Sequence, residues 1–348
     1  MHSAATLEQV HTLKCRDCRA NWSILRVGEG EMGLRHSIRV YFRRIISNLY
    51  SHEILTLIYL LATGLITVLR APQVANWQNI LLFHFALSIV IIAYSFVPEN
   101  LFRGAHFVRS WYLFFLFPLL FKELTTLTQS LFPYYLEPYL IRSELFLIGL
   151  YDQYFSWIAR TPLLTEIMAF SYWSYYLMIF GIGIYLYRSI GETEHNFYLF
   201  KIFATFLFSY SLFILVPVRG PHHAMNNIDP TSLDGYLFQS IILFMQSKGS
   251  TIGAAFPSSH VAVAWICVFT LRQFEKRVYY MLMPLMILLM VSVFYLRYHY
   301  FLDAIFGYFL AIWLERRYIL MSEKVKLRFI EKRIDSNLVL KQEYELDN

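Results

Sequence analysis

The sequence predicts an all-α, polytopic membrane helical bundle of about eight spans, and three observations predict it. Hydrophobic residues make up 57% of the 348 positions and charged ones 16%, against about 25% charged in soluble globular chains. The apolar residues fall in blocks close to the roughly 20 residues that carry a helix across a bilayer. The 30 Lys and Arg gather between those blocks and at the two ends, so the net charge of +6 reads as membrane topology and not as a surface for nucleic acid.

Residues 1–50 are basic and predict a partly disordered cytoplasmic segment, and the first 31 lack the long apolar core expected of a cleavable signal peptide. Its Cys15 and Cys18 form a lone CxxC; with Cys267 inside an apolar run, the three cysteines supply no disulfide framework. Within an integral domain over 51–320, apolar runs lie at about 54–70, 77–97, 111–132, 162–187, 202–218, 256–271, 278–296 and 300–320. The third contains Lys122-Glu123, and a charge at mid-bilayer costs about 2.5 kcal/mol or more, so that run is expected to end early. From 132 to 160, Pro133, Pro138 and scattered charges predict an external segment with an interfacial helix over 143–158. Beyond Arg316-Arg317, residues 321–348 mix charge with Leu, Ile and Val and predict a cytoplasmic tail helix near the anionic leaflet.

An even number of spans puts both termini on one side. That side then holds 23 of the 30 Lys and Arg, and the excess of positive charge makes it cytoplasmic. On this topology Arg219-Gly220-Pro221, Phe256-Pro257-Ser258-Ser259-His260 and Arg297-Tyr298-His299 with Asp303 all reach the external face.

Together they have the chemistry of a phosphoryl-transfer site. Pro257 suits a first helical turn, and Ser258 and Ser259 suit anion capture at a helix start, where unpaired N–H groups and the helix dipole favour negative charge. His299 and Asp303 are four residues apart, about 40° around a helix, so the carboxylate can hold one ring nitrogen and leave the other as nucleophile or base. For this the eighth helix is expected to begin at about Tyr298, with Arg297 outside it. Arg219 and Arg297 then offer two guanidinium forks to a phosphate. Singly, such residues are commonly helix caps or boundary anchors; their joint placement carries the functional reading. His222 and His223 are read as pocket rim, Glu166 as a solvated boundary charge, and Asp152 is unassigned.

The order Arg-Gly-Pro, Pro-Ser-Ser-His and Arg-Tyr-His-Tyr-Phe-Leu-Asp resembles the three signatures of the type 2 phosphatidic acid phosphatase superfamily over roughly residues 160–320. The segments Gly253 to His260 and His299 to Asp303 are most similar to the branch with inositol phosphorylceramide synthases. The resemblance implies a six-helix core, a phosphohistidine at His299 oriented by Asp303, protonation of the leaving alcohol by His260, and phosphate binding by Arg219 and Arg297. It implies a lipid phosphate substrate among membrane lipids, with no metal and no cofactor. The sequence departs from the family pattern at Leu212 and Val293, where a lysine and an arginine are usual, and at Ser259, where glycine is usual. Two other readings stay open on the residues alone: a hydrolytic zinc site built from His260, His299 and Asp303, with His222 or His223 as a further ligand, and a non-enzymatic lipid carrier or scramblase.

Overall fold

The computed structural model describes residues 45–97, 104–148, 161–225 and 229–346. Cys15, Cys18, most of the basic N-terminal segment and Asp152 lie outside the described residues. The main helices among the described residues are α1 (Ser51–Leu69), α2 (Trp77–Tyr94), α3 (Ala105–Trp111), α4 (Phe117–Leu131), α5 (Glu137–Ile148), α6 (Pro162–Tyr185), α7 (Glu192–Leu215), α8 (Leu237–Gly249), α9 (Ser259–Phe274), α10 (Lys276–Tyr295) and α11 (Phe301–Leu346). Among the described residues, α1, α2, α6 with its continuation to Ile190, α7 and α10 are long and apolar enough to cross a membrane. The other three apolar runs also form helices: α4 with 15 residues, α9 with 16, and α11 with 46. Helix α11 runs on without a break through the charged tail, which is therefore a continuation of the last apolar run and not a separate helix.

The centre of the bundle is α9, which packs against α6, α7, α10 and α11. Every residue from Val261 to Val268 is buried, as expected for a helix that is apolar on all faces and so needs neighbours all round. Close approach is built from small residues. A Cβ at Gly307 of α11 would stand 2.6 Å from the Ser258 carbonyl oxygen, so only glycine lets α11 cross the start of α9 at this depth.

Charges inside the bundle are paired, which is the condition for placing them there. Lys201 meets Glu315 at 2.7 Å, Arg109 meets Glu53 at 3.2 Å, and His84 of α2 meets both oxygens of Glu123 at 3.0 Å. The last pair corrects the expectation of an early end to the third apolar run. Helix α4 continues through Lys122-Glu123 to Leu131 because Glu123 turns inward onto His84.

The expected interfacial helix over 143–158 begins earlier, at Glu137. It is docked on the bundle through buried carboxylates, Glu137 and Glu144, two turns apart. Glu166 is not a freely solvated charge either: its carboxylate accepts from the N–H groups of Tyr236, Phe238 and Gln239 and caps the start of α8.

Candidate active site

Backbone hydrogen bonds bring the three signature segments together at one end of the bundle. After α7 the chain becomes extended, and Val218 forms a parallel bridge with Ala254: Val218 N–H donates to Gly253 O at 3.3 Å and Ala255 N–H to Val218 O at 3.0 Å. Gly253, at φ 95°, makes the turn that leads into this bridge. Ser258 N–H donates to the Asp303 carbonyl at 3.1 Å, tying the second segment to the third. A Cβ on Gly220 would lie 2.7 Å from Tyr298 O, so glycine is required where the first segment passes the third. Val218, Ala255, Phe294 and Tyr300 form a small apolar core beneath the junction.

The helix ends differ from expectation in two places. Helix α9 starts at Ser259 with Ser258 as its N-cap, the Ser258 hydroxyl accepting from Val261 N–H at 3.4 Å. Pro257 therefore precedes the cap, and Ser258, expected to capture an anion, is fully buried with its hydroxyl turned to its own helix. Helix α11 starts at Phe301, three residues after the expected Tyr298. Arg297 adopts a left-handed φ of 68°, His299 N–H donates to Val293 O at 3.0 Å, and Asp303 accepts from Tyr300 N–H at 2.9 Å. That last bond satisfies an unpaired donor at the helix start. His299 thus sits before the helix, and the helical-face argument for its pairing with Asp303 does not apply.

The pairing is made another way. Nδ1 of His299 lies 3.0 Å from the Ala255 carbonyl oxygen and 3.4 Å from Asp303 Oδ2. A carbonyl can only accept, so Nδ1 carries the hydrogen and Nε2 holds the lone pair. Nε2 makes no hydrogen bond with any described residue, and the ring lines a cavity of about 540 Å³. The His260 ring lines the same cavity, 5.7 Å from that of His299 between centroids. Gln246 Nε2 donates to the Tyr172 hydroxyl at 3.2 Å, which leaves that hydroxyl to donate to His260 Nε2 at 3.0 Å. The relay puts the neutral ring's hydrogen on Nδ1, which has no partner among the described residues.

Ser259 also lines the cavity, as do His222, Tyr298 and the aromatic rings of Phe114, Phe117, Tyr175, Phe206 and Tyr210. Burial, with His223 and His299 alongside, drives His222 down to about 3, so it is neutral at pH 7. His223 binds the Ser250 hydroxyl at 2.8 Å.

The two arginines do not converge on this cavity. Arg219 is ion-paired with Glu137 through Nε at 2.7 Å and through a second guanidinium nitrogen, and it lies over the Tyr135 ring. Arg297 donates to Asp229 O and Ser232 Oγ, both at 2.7 Å. Sequence reasoning offered Arg219 and Arg297 as free forks because it could not see Glu137 or the 229–232 turn as their partners. It also passed over Glu144, which accepts from Leu302 N–H at 2.8 Å at the start of α11, and Tyr172 and Gln246, which no motif marks. Lys122, which also lines the cavity, had a signal, its charge inside an apolar run. Among the described residues, no group of three or more His, Cys, Asp or Glu side chains is placed to hold a metal ion.

A family model described as the PAP2 superfamily matches residues 138–314. No curated protein and no solved structure matches.

Proposed function

The chain belongs to the PAP2 superfamily, a helical membrane fold of phosphatases and phosphotransferases, and from that premise we propose that it cleaves a lipid phosphate through a phosphohistidine at His299. The observation that carries the reading is the fixed tautomer of His299: Nδ1–H is bound to Ala255 O at 3.0 Å and Nε2 is left to the cavity that His260 shares. Nε2 attacks phosphorus, the bond from phosphorus to the lipid oxygen breaks, and protonated His260 gives its proton to the departing alkoxide. Water or an acceptor hydroxyl then attacks the phosphohistidine while His260 takes up its proton. This releases phosphate or the transferred product and restores both rings. The positive charge that forms on His299 on attack is held by Asp303 at 3.4 Å, as a carboxylate behind an imidazole does in acyl transfer. Anionic phosphate entering the cavity supplies the counter-charge for a protonated His260 among its tyrosine neighbours.

Transfer to an acceptor hydroxyl, as in the inositol phosphorylceramide synthase branch, is the second reading. It is favoured by the apolar Leu212 and Val293 at positions where phosphatases of this pattern carry cations, and by a cavity large enough for an acceptor beside the lipid. The positive-inside count supports a site at the non-cytoplasmic face, with both termini cytoplasmic.

The test is to incubate purified protein with phosphate-radiolabelled phospholipids, prenyl phosphates and sphingolipids, with and without polyol acceptors. Acid-labile, base-stable label on wild-type protein, absent from His299→Ala, is expected; label that persists in the variant refutes the assignment.

A further inference from the structure

With Arg219 and Arg297 engaged by Glu137 and the 229–232 turn, the positive charge that faces the cavity comes from somewhere else. Among the described residues, two lysines line it, Lys122 of α4 and Lys248 of α8, and no Asp, Glu or Arg does. Both lysine side chains are exposed, so neither is consumed by a buried ion pair. Lys122 stands beside Glu123, but the two diverge by about 100° around the helix. Glu123 is spent on His84, and Lys122 is left to the cavity.

Local hydrogen bonds tie the α4 segment that carries Lys122 to the loop that runs from Lys248 to Ala255. Thr125 of α4 exchanges hydrogen bonds with the backbone of Ile252, its hydroxyl donating to Ile252 O and accepting from Ile252 N–H, each at 3.0 Å. One turn earlier on α4, Phe121 O accepts from the Thr251 hydroxyl at 3.2 Å. Lys122 therefore lies on the stretch of α4 pinned to the 250–253 loop. Lys248 lies just before that loop, and Ala255, whose carbonyl orients His299, lies just after it. The loop links both cations to the nucleophile.

We infer that Lys122 and Lys248 are the specificity-determining residues of this site. They bind the anionic headgroup and select a lipid phosphomonoester, which carries close to two negative charges at pH 7, over a zwitterionic or uncharged lipid of the same chains. Two ammonium groups and no carboxylate match a dianion better than they match a headgroup with its own cation. Lys122 lies outside the family match at 138–314, and neither lysine belongs to a signature segment. The positive charge that the family pattern carries at the position of Leu212 is thus supplied from α4 and α8, which both line the cavity. The inference rests on the lipid-phosphate reading of the site but is tested by binding, independently of turnover.

The experiment uses the purified full-length chain in neutral detergent at low salt and measures fluorescent phosphatidic acid against the matching diacylglycerol and phosphatidylcholine. Wild type is expected to bind phosphatidic acid about 10-fold or more tightly than either comparison lipid. In K122Q/K248Q that ratio collapses toward one; K122R/K248R and His299→Ala keep it. Displacement of phosphatidic acid by millimolar inorganic phosphate shows that the lysines bind phosphate itself, and displacement by lipid phosphate alone shows that they bind it only on a lipid. A ratio unchanged in K122Q/K248Q, or a wild type without preference, overturns the inference. Lysine-dependent binding by a protein that turns over no lipid phosphate leaves the inference standing and removes the catalytic reading instead.

Discussion

Among the described residues, the buried imidazole–carboxylate pairs His84 with Glu123 and His299 with Asp303 sit in this bundle, and burial does not tell them apart. Their side chains are 5% and 7% exposed in the first pair and 6% and 0% in the second. What differs is the environment of the other ring nitrogen. Nδ1 of His84 faces α1, where a Cβ added to Gly64 would be 3.4 Å away, so the ring is closed in on both sides and its task is to neutralise a carboxylate inside an apolar bundle. Nε2 of His299 has no protein partner among the described residues and its ring faces a cavity. The nitrogen that holds the carboxylate makes either pair stable; the one that does not decides whether the pair can do chemistry.

The largest effect that sharpens this contrast is on turnover. His299→Ala is expected to lower turnover of lipid phosphate by about 10⁴-fold or more, as loss of a covalent nucleophile does. His84→Ala is expected to leave turnover per folded molecule within a few fold while lowering stability by about 3–5 kcal/mol, because Glu123 loses its buried partner. Turnover and thermal unfolding measured on both variants decide the matter. Equal loss of turnover without loss of stability would break the contrast.

A smaller effect separates the two carboxylates. In hydrolases where an aspartate alone fixes the histidine tautomer, changing it to asparagine costs about 10⁴-fold. Here Ala255 O already holds Nδ1–H at 3.0 Å and Asp303 lies farther, at 3.4 Å. Asp303→Asn should therefore keep the tautomer and lose only charge stabilisation, about 10²-fold in turnover, and Glu123→Gln should lose none. A loss on Asp303→Asn as deep as that of His299→Ala would show that the carbonyl does not set the ring.

Helical class, the apolar runs and the grouping of three signature segments at one end were legible in the sequence, because spans, loop charge and motif order are local properties. That His260, His299 and Ser259 line one cavity, with Asp303 beside the His299 ring, was legible for the same reason: each is in or beside a signature at a helix end. The start of α11 was not, since Asp303 caps the helix from inside its first turn and holds back a start that the apolar pattern alone would place at Tyr298. The fate of Arg219 was not legible either, since Glu137 lies 82 residues away in sequence and on a helix that looked interfacial. Lys122 looked like a defect in an apolar run. Only the packing of Glu123 onto His84 shows that the same interruption carries a structural charge and, one residue away, a charge for the cavity.

The smallest expected effect concerns a third imidazole, His222, which lines the cavity of His299 but has no carboxylate holding either nitrogen. Its neighbours there are His223, His299 and the Tyr298 ring. Burial drives it to about 3 in the folded protein, while in the unfolded chain it titrates near its ordinary value of about 6.5. Between those values the unfolded chain carries a proton that the folded site refuses, so stability falls as pH drops from about 6.5 toward 3. His222→Gln removes that proton from the balance. The thermal midpoint of the variant should change less between pH 7 and pH 5 than that of wild type, with turnover at pH 7 reduced by no more than a few fold because a neutral, carboxylate-free ring has no proton to give. A wild-type midpoint that rises on acidification, or a variant that steepens the fall, would mean that His222 is charged in the folded state. The contrast between paired and unpaired imidazoles would then have to be redrawn with His222 among the cations of the cavity.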